Sequence, residues 1–158
     1  MDLILYAMFL SRSGTFFKVK RTFEDVYGTE NTPTNYTGTE YTQTLSLEEE
    51  NVYVHDCVFI DCSSDSLGGA LYCYMVSNLL VEQSSFISCR ANEIGGGIFF
   101  INQEDGQFVL CRICGFNCSA IYGQFAYTFS GGDLIYKTHV NYSTITHTSN
   151  EAVESCSP

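Results

Sequence analysis

The chain contains a segment that repeats itself without a gap. Laying residues 52–72 over residues 79–99 moves every landmark by 27 positions: Val54 falls on Val81, Phe59 on Phe86, Cys62 on Cys89, and Gly68-Gly69-Ala70-Leu71 on Gly95-Gly96-Gly97-Ile98. A third copy follows at a displacement of 29. It places Phe108 and Leu110 in the strand, Cys118 at the cysteine, and Gln124-Phe125-Ala126-Tyr127 on the glycine block, so that its glycine pair is lost. A weaker fourth copy, displaced by a further 30, puts Thr138 and Val140 in the strand and Ile145 near the Phe position. A unit of this length cannot bury its own apolar face and must stack on its neighbours as a solenoid. The runs Val52-Tyr53-Val54 and Leu71-Tyr72-Cys73-Tyr74 are of strand length, β-branched or aromatic, and bounded by turn residues, which argues against helical repeats. Each copy therefore reads as three short strands, around 52–54, 57–60 and 70–74. That is one turn of a parallel β-helix, with turns ~4.8 Å apart.

The expected fold is all-β, a solenoid of about three clear coils over residues 52–129 with weaker flanking coils. Residues 1–51 read as an N-terminal segment and residues 52–158 as the repeat domain. The side-chain alternation that stays apolar from copy to copy is Leu71, Ile98 and Tyr127 with Cys73, Phe100 and Phe129. The opposite set fails at Thr128, so the first set is expected inside. Gly68-Gly69 and Gly95-Gly96 mark a tight bend, which copy three makes with Gln124-Phe125 instead. Cys62, Cys89 and Cys118 share one repeat position. Side chains stacked in parallel point the same way, which favours a ladder of reduced, buried thiols over disulfides.

G-G-A-L at 68–71, G-G-G-I at 95–98 and F-x-x-C at 59–62 and 86–89 resemble the G-G-A-I and F-x-x-N repeats of chlamydial polymorphic outer membrane proteins. They are similar also to repeat proteins on the surfaces of trichomonad parasites. The resemblance covers about residues 52–129. It implies a right-handed parallel β-helix of the pectin-lyase-like kind, an extracellular or cell-surface location, and a role in adhesion or surface display. Cys62 and Cys89 stand where the chlamydial motif has Asn.

Charge narrows the partners. The chain carries 18 Asp and Glu against 7 Lys and Arg, a net charge of −11, and four of the bases, Arg12, Lys18, Lys20 and Arg21, fall before residue 22. Nucleic acid is excluded, because phosphate recognition needs a concentrated basic face. The expected partners are a host or cell-surface protein or a glycan, without a cofactor or a metal. Residues 3–10 are apolar but shorter than a membrane span, and suit either a secretory h-region or a buried strand.

Candidate chemistry is sparse. Cys111-Arg112-Ile113-Cys114 has C-x-x-C spacing but neither a second pair for zinc nor a redox βαβ context. His55, His139 and His147 do not recur at one repeat position. Asp56, Asp61 and Asp65 align with Gln83, Ser88 and Asn92, so carboxylates do not stack into a calcium ladder, and Gly131-Gly132-Asp133 reads as a solvated turn. Arg90 and Arg112 find Glu82 and Asp56 nearest in register without a repeated constellation. The expected function is thus non-enzymatic, the alternative being a polysaccharide lyase or glycoside hydrolase of the pectin-lyase-like fold. Three sequons start at Asn35, Asn117 and Asn141. Residues 29–44 read as an irregular or edge-strand connection, and Glu48-Glu49-Glu50 as a charged turn. A solenoid also needs covered ends. Residues 3–10 or 16–23 are expected over the first coil, while the polar stretch after Ile145 offers no cap, which predicts that the isolated chain is marginal or self-associates through that open end.

Overall fold

The computed structural model describes residues 22–131, 138–141 and 143–146. One short helix, α1 (Phe23–Tyr27), precedes the strands. A first, short coil holds β1 (Thr34–Thr37), β2 (Glu40–Tyr41) and β3 (Leu45–Leu47). The second holds β4 (Asn51–His55), β5 (Val58–Ile60), β6 (Ser63–Ser64) and β7 (Leu71–Tyr74), and the third β8 (Asn78–Glu82), β9 (Ser85–Ile87), β10 (Arg90–Ala91) and β11 (Ile98–Asn102). The fourth holds β12 (Gln107–Cys111), β13 (Cys114–Phe116) and β14 (Ala126–Ser130), and β15 (Thr138–Asn141) and β16 (Thr144–Thr146) begin a further one. Like strands stack in parallel. Sheet A runs β1-β4-β8-β12-β15, sheet B runs β2-β5-β9-β13-β16, and sheet C runs β3-β7-β11-β14. The chain is an all-β parallel solenoid of about three full turns, and the weak fourth copy lies where its spacing of 30 puts it: Thr138 pairs with Phe108 and Ile145 with Gly115.

The core fills the inside of the coils. Val52, Val54, Leu79, Val81, Phe108 and Leu110 enter from sheet A, and Leu71, Cys73, Ile98 and Phe100 from sheet C. Sheet B contributes a column of rings: Tyr41 stacks on Phe59 at 4.9 Å and Phe59 on Phe86 at 4.7 Å. Gly115 interrupts this column. The vacated space is taken by Phe125, which arrives from the corner before β14 and meets Phe86 edge-on at 5.5 Å and 83°.

At the corners the backbone turns through left-handed residues, at φ of 46–72°. Asp56, Gln83 and Arg112 follow the sheet A strands, Asp61, Ser88 and Asn117 follow those of sheet B, and Gly68, Gly95 and Gly123 precede sheet C. Such φ values are uncommon outside glycine, and Asn and Asp are enriched among the exceptions.

The third copy corrects the sequence reading. Cys118 and Ser119 keep the displacement of 29, as Ser119 bridges Arg90, but Tyr122 bridges Ile94 and Ala126 pairs with Ile98, a displacement of 28. One residue fewer in this corner flips everything after it. Tyr127 and Phe129, expected inside, therefore face outward, and Ala126 and Thr128 take the inner positions.

The glycine pair is also only half lost. Gly123 stands where Gly68 and Gly95 do, at φ 61°, and the second glycine, Gly96, corresponds to Gln124. The two glycines answer different demands. The first supplies the turn's positive φ. The second lies against the coil stacked beyond it: a Cβ on Gly69 would sit 2.0 Å from the Gly96 carbonyl oxygen, and one on Gly96 2.2 Å from that of Gln124. β14 is the outermost described strand of sheet C, so among the described strands none stacks beyond Gln124 there. Gly96→Ala is accordingly expected to cost about 2–3 kcal/mol, and Gln124→Gly to change stability by less than about 0.5 kcal/mol. Urea denaturation followed by circular dichroism measures both, and equal costs would contradict the stacking account.

Residues 34–47 form the first coil: of the stretch 29–44, read as an irregular or edge-strand connection, β1 and β2 are edge strands, of sheets A and B. Tyr36, Tyr41 and Leu45 lie half-buried over the core and cover its N-terminal end. The Tyr36 hydroxyl donates to Glu49 Oε1 at 2.6 Å, and burial followed by that carboxylate pushes its pKa up to about 12. Residues 3–10 and nearly all of 16–23, the expected cover, lie outside the described residues. Phe23 is described, and it packs elsewhere. Helix α1 opens with a capping box, Thr22 Oγ1 accepting from the Asp25 N–H and Asp25 Oδ2 from the Thr22 N–H. It lays Phe23, Val26 and Tyr27 on Tyr53, Leu80 and Val109, the outward column of sheet A.

Candidate functional site

Sheet C presents two columns of large apolar side chains to the outside. Tyr72, Phe99 and Tyr127 form one; Tyr74, Ile101 and Phe129 form the next. They follow from sequence through the strand period of two: Leu71, Cys73, Ile98 and Phe100 point inward, so their neighbours point outward. The first column is a ladder of parallel rings, Tyr72 to Phe99 at 5.5 Å and 8°, Phe99 to Tyr127 at 5.9 Å and 7°. Stacked in this way the rings cover one another's faces: the middle ring, Phe99, is 5% exposed, and Tyr72 and Tyr127 on either side of it are half-buried. In the second column Tyr74 is 46% and Phe129 50% exposed. Sheet A also carries an outward apolar column, and there α1 covers it.

A second concentration of polar chemistry lies at the corner between sheets A and B. Glu82, at the end of β8, is 0% exposed. Its Oε2 accepts from the Tyr53 hydroxyl at 2.5 Å, and its Oε1 from the guanidinium of Arg112 on the next coil. The register causes this meeting, since Cys111 pairs with Glu82 and Arg112 is the left-handed residue directly after it. Burial first, and then the Glu82 carboxylate, hold the Tyr53 phenol well above its ordinary pKa. The Tyr53 ring lies 4.4 Å from that of His55, whose Nδ1 is 3.0 Å from Asp56 Oδ2, and Gln83 Nε2 donates to Asp56 Oδ1. With Glu82 enclosed, this cluster fastens three coils together.

The expected cysteine ladder is present. Cys62, Cys89 and Cys118 are buried and free. Each thiol donates to a carbonyl one coil back: Cys62 to Tyr41 at 3.3 Å, Cys89 to Phe59 at 3.6 Å and Cys118 to Phe86 at 3.6 Å. Hydrogen bonds with the Cys118 and Cys62 sulfurs, together with burial, push the middle thiol, Cys89, far up. These residues, with Phe59, Phe86, Gly68, Gly69, Gly95, Gly96, Leu71 and Ile98, are the framework of the coils. Cys114 is engaged in a disulfide and Cys111 is buried beside Glu82, so the C-x-x-C pair does not present a dithiol.

A shallow groove of about 380 Å³ opens beside the ladder, lined by Asp61, Ser63, Ser88, Arg90 and Asn117. Asp61 and Arg90 both line it, although they belong to different repeat positions. Among the described residues no three His, Cys, Asp or Glu side chains are grouped to hold a metal ion, and no helix is long and apolar enough to cross a membrane. His139, His147, Gly132 and Asp133 lie outside the residues whose side chains are described. The aromatic face escaped the sequence reading because the third copy was registered one residue too far. A 28-residue displacement after Ser119 puts Tyr127 on Phe99 and Phe129 on Ile101, and would have disclosed it.

The chain matches no family model, no curated protein and no solved structure.

Proposed function

We propose that this chain is a non-enzymatic interaction module of a cell-surface or secreted protein, adhesin-like, which binds its partner through the outer face of sheet C. The observation that carries the reading is the pair of outward columns, Tyr72-Phe99-Tyr127 and Tyr74-Ile101-Phe129, with Tyr74 and Phe129 about half exposed, on a face that no helix among the described residues covers as α1 covers sheet A. An apolar patch of this kind is costly in water and marks an interaction surface. The resemblance of the glycine and F-x-x-C motifs to bacterial and parasite surface repeats supports a right-handed, pectin-lyase-like solenoid and a location outside the cell. The partner class is a host or cell-surface protein or glycan. Self-association through the C-terminal coils belongs to the same reading, supported by Val140 and Ile145, both exposed.

The competing reading, a polysaccharide lyase or glycoside hydrolase, draws on the groove lined by Asp61 and Arg90. Binding of the labelled chain to a panel of cell surfaces, alongside incubation with acidic and neutral polysaccharides, separates the two. Saturable binding without turnover is expected. Turnover abolished by Asp61→Asn would overturn the proposal, as would the absence of binding to any surface. Sedimentation over a concentration series reads the self-association, which a monomer at every concentration would exclude.

A further inference from the structure

We infer that the partner of the sheet C face is a basic amphipathic segment of another protein, an apolar stripe flanked by Lys or Arg. The inference rests on the interaction-module reading and names the chemistry of its ligand.

Three observations lead to it. First, the molecule solves the same problem once already: the outward column of sheet A, Tyr53-Leu80-Val109, is covered by the apolar side of α1, with Phe23, Val26 and Tyr27 at helical spacing. A sheet face two columns wide accepts an amphipathic segment of this kind. Second, the described turns bordering β3, β7 and β11 are acidic. Glu48, Glu50, Glu104 and Asp105 are exposed in the turns that follow β3 and β11, and Asp65 and Glu93 are exposed in those that precede β7 and β11. No Lys or Arg stands in residues 48–50, 65–70, 75–77, 92–97, 103–106 or 119–125. An apolar strip between acidic borders is complementary to an apolar stripe between basic ones. Third, the aromatic column is stacked within 8° of parallel, so ring faces are covered by neighbouring rings, and a sugar ring finds few open faces on which to lie.

The same features argue against other occupants. A second copy of this chain docked face to face brings acidic border against acidic border. Nucleic acid and anionic lipid meet the same repulsion.

The test uses the full chain and a fluorescein-labelled synthetic peptide of Leu and Lys patterned so that Leu forms one helical face. A peptide with Glu at every Lys position is its partner control. Anisotropy titrations compare the wild type with Tyr74→Ser/Phe129→Ser and with Glu104→Gln/Asp105→Asn. All four positions are exposed, and thermal melts confirm that each variant folds. The Leu/Lys peptide is expected to bind, the Leu/Glu peptide not to bind, the aromatic variant to weaken binding about tenfold, and added salt to weaken it further. Binding unchanged in the aromatic variant, or no binding of the Leu/Lys peptide, overturns the inference. So does a dimer that dissociates in the aromatic variant, or a neutral oligosaccharide whose binding that variant abolishes. Cell-surface binding lost in the aromatic variant but not competed by the Leu/Lys peptide overturns the assigned partner chemistry while leaving the interaction-module reading intact.

Discussion

Glu82→Ala is expected to destabilise the solenoid by about 3 kcal/mol, at the lower end of the cost of breaking a buried ion pair. Two features set this size. The Glu82 carboxylate is fully enclosed and joins Tyr53 on the coil before to Arg112 on the coil after. Its removal takes away the carboxylate to which the Tyr53 hydroxyl and the Arg112 guanidinium donate, and losing a charged acceptor is costly in a dry site. The value stays near the lower end because the Arg112 side chain is 19% exposed and retains some water. A second variant separates charge from packing. Glu82→Leu/Arg112→Leu removes both partners and is expected to recover most of the loss, since an apolar pair does not have to be desolvated. Urea denaturation monitored by far-ultraviolet circular dichroism reads both. A single variant costing under about 1 kcal/mol would mean that the pair behaves as a surface salt bridge and does not fasten the coils.

Phe125→Ala is expected to cost about 3–5 kcal/mol, the range for deleting a buried phenylalanine ring. The more discriminating result concerns Gly115. A Cβ there would lie 2.6 Å from the Phe125 ring, so Gly115→Ala in the wild type is expected to be destabilising. In the Phe125→Ala background the ring is gone and the same methyl enters a cavity, so Gly115→Ala is expected to be stabilising. The change of sign is the signature of two residues sharing one volume. A double-mutant cycle by chemical denaturation measures it. Additive effects would show that Phe125 does not occupy the gap in the Tyr41-Phe59-Phe86 column.

Much of the scaffold was readable because stacking is periodic. The 27-residue displacement aligned β4 with β8, β5 with β9 and β7 with β11, residue for residue, and the Cys62-Cys89-Cys118 ladder followed from it. Residues 34–47 were harder. Their Thr, Asn and Gly content is that of a loop, and the first coil is shorter than a repeat, so no constant displacement pointed to it. The strands form because each pairs with a better-defined strand, β1 with β4 and β3 with β7, which is tertiary context overriding composition.

The sequence by itself determined that coils exist, that the first two clear copies are 27 residues apart, and which of their side chains face inward, because a strand alternates with period two and a stacked strand inherits its neighbour's register. Only the tertiary structure decided what crosses between coils. That Glu82 meets Arg112, that Phe125 fills the space left by Gly115, and that Gly96 but not Gln124 must lack a Cβ all depend on distances between residues about 10–30 positions apart. The register of the last sheet C strand belongs to the same class. A single residue omitted between Ser119 and Tyr122 is nearly invisible in sequence, yet it exchanges the two faces of β14 and so places Tyr127 and Phe129 on the outer surface.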